Sequence, residues 1–178
     1  LNIIGGLDSP TSGSVQIDEQ ELASMAPNDL SDLRLHKLGF VFQAYNLIPV
    51  LSAFENTEFV PLMQGVGAEE RKSRSMEMLK AVGLAGMEKR LPSELSGGQQ
   101  QRVAVARALA GNPMLILADE PTANLDSKTG KELIALMRSL NEEKGVTFIF
   151  ATHDPKVMEA AKRIIHLEDG KIIEDERR

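Results

Sequence analysis

The sequence predicts an α/β fold in which parallel strands alternate with helices and one helical insertion interrupts the alternation. Three observations carry this. Met114 to Ala118 and Val146 to Ala151 are strand-length apolar runs, as expected of parallel strands covered on both faces. Helix-length segments with start and stop signals separate the runs. Between Tyr45 and Leu95 strand signals vanish and helical ones replace them. At 178 residues, 42% hydrophobic and 26% charged, the chain makes one domain with a real core.

The elements follow in order. Leu1 to Leu7 reads as the tail of a helix stopped by Gly5-Gly6, and Asp8 to Gly13 as a turn cluster. Ser14 to Ile17 is a short strand, Leu22 to Leu35 is partly helical, and Leu38 to Gln43 is a strand. Tyr45 to Leu95 is the helical insertion. Within it Ala68 to Val82 sets Met76, Leu79 and Val82 at three-residue steps on a helix. Gly98 to Ala110 is a helix ended by Gly111-Asn112-Pro113, and Ser127 to Glu143 is a helix closed by Lys144-Gly145. Asp154-Pro155 supplies an N-cap and an N1 proline for a helix through Lys162. Asp169-Gly170 joins Arg163 to Leu167 and Lys171 to Glu174 as a hairpin.

Composition narrows function. A net charge of -6 argues against a general nucleic-acid surface. The absence of cysteine excludes disulfides and thiolate metal sites. No apolar run has the length to cross a bilayer. The chain opens on Leu1 in mid-helix, and is expected to lack its natural start.

Four places carry chemistry. Ser96-Gly97-Gly98 opens a helix. Ser96 is explicable as a plain N-cap, but two glycines in the first turn each cost roughly 1 kcal/mol against alanine. Amides free to approach an anion at a helix N-terminus explain both features. Asp119-Glu120 ends an apolar strand, at the edge where open α/β sheets bind ligands. The pair is either a solvated strand end or a division of labour, one carboxylate for Mg²⁺ and one for an attacking water. His153 ends the next apolar strand, and Gln43 follows the strand Phe40 to Phe42. Each is a structural residue or a member of the same site.

In this order, Gln43, Leu95 to Gln99, Leu115 to Glu120, Asn124-Leu125-Asp126 and His153 resemble the nucleotide-binding domain of ATP-binding cassette (ABC) proteins. Gln43 matches that family's Q-loop. Leu95 to Gln99 matches its signature motif, continued by Gln101 to Leu109. Leu115 to Glu120 matches Walker B, Ala123 to Asp126 the D-loop, and His153 the H-switch. Phe42 to Pro49 and Ala53 to Asn56 are similar to the group serving lipoprotein release and macrolide export. The glycine-rich phosphate loop ending in Gly-Lys-Ser/Thr is not in the sequence, and the resemblance places it ahead of Leu1.

The resemblance implies a P-loop NTPase (RecA-like) core in a three-layer sheet-and-helix architecture, incomplete at the N-terminus. Residues 1–44 and 103–178 would form the α/β core, and 45–102 a helical subdomain ending in the signature motif. It implies an ATPase using ATP and Mg²⁺. Asp119 and Gln43 would serve the metal. Glu120 and His153 would be catalytic. Gln43, Ser96, Gly97, Gly98, Gln99 and Asp126 would bind ATP or couple the sites. The implied partners are a second copy in a head-to-tail dimer and integral membrane permease subunits, with no nucleic acid. The implied location is cytoplasmic, peripheral on the inner face of the cell membrane. Of the apolar cluster Tyr45, Leu47, Ile48, Leu51 and Phe54, some members are local core and the rest would line a groove for a helix of the permease. The alternatives are a soluble non-transport ABC ATPase and an inactive fragment acting as an interaction module.

Overall fold

A computed structural model describes all 178 residues, Leu1 to Arg178. The first seven residues make a single helical turn. The Gly6 N–H donates to the Ile3 carbonyl at 3.2 Å and the Leu7 N–H to the Asn2 carbonyl at 2.9 Å. Gly6 stands at φ +61°, so this is the paired closure that ends helices at a left-handed glycine. The expected strand Ser14 to Ile17 shrinks to β1 (Gln16–Ile17), paired antiparallel with β2 (Gln20–Glu21). Asp18 and Glu19 turn the chain between them, both at positive φ. The partly helical stretch after it resolves into a 3₁₀ turn, Leu22–Ser24, and α1 (Pro27–Lys37). Ala26 is held extended by the proline that follows it, which separates the two.

The chain then gives β3 (Leu38–Val41), the insertion helices α2 (Ala53–Met63) and α3 (Ala68–Ala81), and α4 (Gly97–Ala110). It continues with β4 (Leu115–Asp119), α5 (Ser127–Lys144), β5 (Thr147–Ala151), α6 (Pro155–Ala160) and the hairpin β6 (Arg163–Glu168) with β7 (Lys171–Arg177). The central sheet is parallel, in the order β3-β4-β5. Alternation sorts its side chains. Val41, Ile116 and Ala118 face one apolar cluster with Val103, Leu133 and Met137, while Leu38, Phe40 and Leu115 face a second with Ile17, Leu22 and Leu33. Helices α4 and α5 therefore cover one face of the sheet. Helix α1 and the first hairpin cover the other, giving three layers.

Three expectations are corrected. Met76 is exposed. Leu79 and Val82 are buried as expected, and Ser75 and Met78 complete the buried face of α3 in place of Met76. Strand β5 is half-buried rather than buried, unlike β3 at the opposite edge of the sheet. Helix α6 stops at Ala160, two residues short of Lys162. The insertion is tied to the rest of the chain by Gln64, whose amide nitrogen donates to the carbonyls of Leu35 and Gly111, both at 2.8 Å.

Candidate functional site

Because β3, β4 and β5 are parallel, their carboxyl ends share one edge. The register pairs Val41 with Ala118 and Asp119 with Ala151. Gln43, Asp119, Glu120 and His153 thus emerge together at that edge, as expected from the strand ends alone.

Glu120 is not a solvated strand end. Its amide continues the ladder to the Ala151 carbonyl at 2.9 Å, and its backbone then turns left-handed, at φ +44°. That conformation is disfavoured for a residue with a Cβ and marks a site that the surroundings enforce. The turn aims the carboxylate at the end of β5, where three donors meet it. The His153 amide reaches Oε1 at 3.1 Å, His153 Nδ1 reaches the same oxygen at 2.6 Å, and the Thr152 hydroxyl reaches Oε2 at 3.1 Å. A carboxylate acceptor assigns the proton to Nδ1, so His153 presents Nε2 outward. The His153 side chain is 89% exposed, against 22% for Glu120. Thr152 is a member of the site that sequence reasoning passed over. Its only signal was its place between an apolar strand and His153.

Asp119 is exposed at the last residue of β4, beside Glu120. Gln43 is exposed just past β3. A carboxylate and an amide oxygen are hard donors of the kind Mg²⁺ accepts alongside water and phosphate oxygens. The chain holds no cluster of three or more metal-ligating side chains that would cage a metal unaided. The donor set fits a cation shared with a phosphate ligand.

The Ser96 to Gln99 segment lies beside this edge. Ser96 caps α4 reciprocally with Gln99. The Gln99 amide donates to the serine hydroxyl at 3.3 Å, and the Ser96 amide to Gln99 Oε1 at 2.9 Å. The two glycines have neighbours of their own. A Cβ on Gly97 would lie 2.7 Å from the Tyr45 hydroxyl, and one on Gly98 2.3 Å from Thr129 Cγ2. Close packing therefore accounts for the glycines inside the chain, before any ligand is considered.

Asp126 caps α5. Its Oδ1 accepts the amides of Lys128 and Thr129 at 3.0 and 3.1 Å, and Oδ2 the Thr129 hydroxyl at 2.6 Å. The Thr129 hydroxyl, followed by that residue's amide, holds the Asp126 carboxyl below its ordinary range. Of the expected apolar cluster, Leu47 and Phe54 pack onto the main core, and Tyr45, Ile48 and Leu51 are half-buried; Val50, outside that cluster, is 80% exposed. The loop bearing them is shaped by Asn56. It is fully buried and bonds the Ile48 amide and the carbonyls of Ile48, Leu51 and Ser52.

Comparison with known proteins gives this geometry relatives. A family described as ABC transporter matches residues 1–123. An uncharacterized ABC transporter ATP-binding protein of Methanocaldococcus jannaschii is 50% identical, covering 99% of this chain and 77% of that protein. The macrolide export ATP-binding/permease protein MacB of Mannheimia succiniciproducens is also 50% identical, covering 98% of this chain and 27% of that protein. Among solved structures, the dimeric post-hydrolysis state of the Methanocaldococcus ATP-binding cassette bound to ADP and Pi superposes with a TM-score of 0.88. Its identity is 48%, over 99% of this chain and 78% of that one. The P-loop NTPase core with inserted helices, expected above, is the fold this chain shares with that cassette.

Proposed function

This chain belongs to the ABC transporter family, and from that premise we propose that it is the ATP-hydrolysing unit of a transporter or cell-envelope permease complex. The observation that carries the proposal is the held carboxylate of Glu120, with three donors from Thr152 and His153 at the edge that also presents Asp119 and Gln43. A general base needs a fixed direction, and this network supplies one.

The roles follow from position. Glu120 orients and deprotonates the attacking water. His153, bonded to Glu120 through Nδ1, offers Nε2 toward the phosphate side. Asp119 and Gln43 hold Mg²⁺, which when bound neutralises phosphate charge. Ser96, Gly97, Gly98 and Gln99 present the N-terminus of α4 to the γ-phosphate of ATP held by a second copy, in a head-to-tail dimer. Asp126 lies at the junction between copies. The solved cassette relative is itself dimeric, which supports the dimer, and the MacB relative combines ATP-binding and permease parts in one protein. Residues 45–102 act as the helical subdomain, and the permease contacts it on the cytoplasmic face of the membrane. No helix of the chain is long and apolar enough to cross a membrane. Val50 and Leu51 are the contact points there, since Leu47 and Phe54 are committed to the core.

Glu120→Gln in the full reading frame tests the assignment. Turnover should fall at least ~100-fold while ATP binding persists, because charge is lost and volume kept. Turnover at the wild-type rate would remove Glu120 from catalysis. Ser96→Arg in the same Glu120→Gln background should abolish the ATP-dependent dimer on size-exclusion chromatography. A dimer that persists would leave Ser96 a helix cap and nothing more.

A further inference from the structure

The loop after β3 is gripped by three side chains from other parts of the chain. Gln101 on α4 is fully buried, and its amide nitrogen donates to the Pro121 carbonyl at 2.9 Å and to the Phe42 carbonyl at 3.4 Å. The Asn124 amide nitrogen donates to the Gln43 carbonyl at 2.9 Å. Arg107 donates to the carbonyls of Tyr45 and Asn46 at 3.0 and 2.5 Å. Four carbonyls among residues 42–46 are thus bound from outside the loop. Tyr45 and Asn46 both stand at positive φ, so the loop is bent into a shape that its own backbone does not favour.

Gln101 and Arg107 sit on a rigid helix whose buried face fixes them. Asn124 does not. It is exposed, in the turn between β4 and α5, four residues after Glu120 and two before the α5 cap Asp126. Its bond is therefore a direct link between the segment carrying the carboxylates and the backbone of Gln43. An exposed amide–carbonyl bond competes with water and adds little to stability. Its consequence is positional.

We propose that Asn124 is a positioning residue for hydrolysis: by holding the Gln43 carbonyl, it fixes where the Gln43 side chain stands relative to Asp119 and Glu120. This rests on the reading of Gln43 as a sensor of metal and water.

The test compares Asn124→Ala, Asn124→Asp, Gln43→Ala and the double variant Asn124→Ala/Gln43→Ala in the full reading frame. Asn124→Asp keeps the shape without the N–H, and serves if the alanine variant fails to fold. Without nucleotide, deuterium exchange of the peptide covering residues 42–47 should run ~5-fold faster in either Asn124 variant, the loss of one net hydrogen bond, with the melting temperature within about 4 °C of wild type. The Mg²⁺ concentration for half-maximal ATPase should rise by a similar ~5-fold in Asn124→Ala and in Gln43→Ala, with no further rise in the double variant. Unchanged exchange overturns the proposal, because the bond then holds nothing. Faster exchange with a wild-type Mg²⁺ requirement also overturns it, leaving Asn124 a loop staple. An additive double variant overturns it as well. Should Gln43→Ala itself behave as wild type, the sensor reading fails and the proposal falls with it. An impaired Gln43→Ala beside a wild-type Asn124→Ala overturns the proposal alone.

Discussion

Gly98→Ala separates two explanations of the same glycine. The added Cβ would stand 2.3 Å from Thr129 Cγ2, and carbon atoms pack at about 3.5–4.0 Å. More than an ångström of movement is therefore required. Thr129 cannot supply it cheaply. Its branched side chain is stiff at χ1, and its hydroxyl is bonded to Asp126 at 2.6 Å. Either α4 and α5 part, or the threonine rotates and its bond breaks. Overpacking of this kind costs ~1–3 kcal/mol, against a gain of at most ~1 kcal/mol from replacing a helical glycine. The expected net loss is ~1–2 kcal/mol, a fall of about 3–6 °C in melting temperature at this chain length. Thr129→Ser removes the clashing methyl and keeps the hydroxyl, so Gly98→Ala/Thr129→Ser should melt near the wild-type temperature. The assay is thermal unfolding of the four proteins of the cycle, followed by ATPase activity of the double variant in the full reading frame. A stable Gly98→Ala single variant, or a double variant that stays destabilised, refutes the packing argument. If stability returns but turnover does not, the glycine also serves the phosphate. If both return, packing was its whole purpose.

Other expectations follow from the same contacts. Asn56→Ala should destabilise the chain by ~2–3 kcal/mol, since it strips partners from the Ile48 amide and three carbonyls around a fully buried side chain, as urea unfolding would show. The same change should open the loop 47–52 to proteolysis, and an unaltered cleavage pattern would contradict the bonding. Asp126 titrates below its ordinary 3.8, so its capping contribution is complete above that pH and is lost as pH falls through the lowered value. Thr129→Ala removes the largest cause and should bring the Asp126 titration, followed by NMR, back up toward 3.8. Leu47→Glu should unfold or loosen the core that Leu47 packs on, whereas Val50→Glu should fold normally and weaken only co-purification with a permease.

The strand ends were legible in the sequence because topology alone places them. Once Leu115 to Ala118 and Phe148 to Ala151 are parallel neighbours, Asp119, Glu120 and His153 must share an edge, and no side-chain detail is needed. Helices with explicit start signals were legible for the same local reason. Ser96 and Gln99 cap each other, and Asp154 caps α6 through the Lys156 amide at 2.9 Å. The strand holding β1 was legible, but its partner β2 and the tight turn joining them were not. An Asp-Glu turn with both φ positive lacks the glycine or asparagine that usually announces it.

What the sequence hid is contact across the chain. The glycine pair in the first turn of α4 reads equally as an approach for a ligand or as room for a neighbour, and only the placement of Tyr45 and Thr129 shows that the neighbours exist. Gln101 left a fainter trace. It is a polar residue in line with Val105 and Ala108 on a helix face that is otherwise apolar, which signals a buried amide with partners to find. One of its partners is Pro121, directly after Glu120, and the other is Phe42, directly before Gln43. A buried amide on α4 thus touches the backbone beside both Glu120 and Gln43, the two residues proposed above to activate water and to sense the metal. The three motifs lie more than fifty residues apart at their extremes, yet one side chain joins them. A displacement of α4 would therefore reach both loops at once, through bonds to their backbones rather than through their side chains.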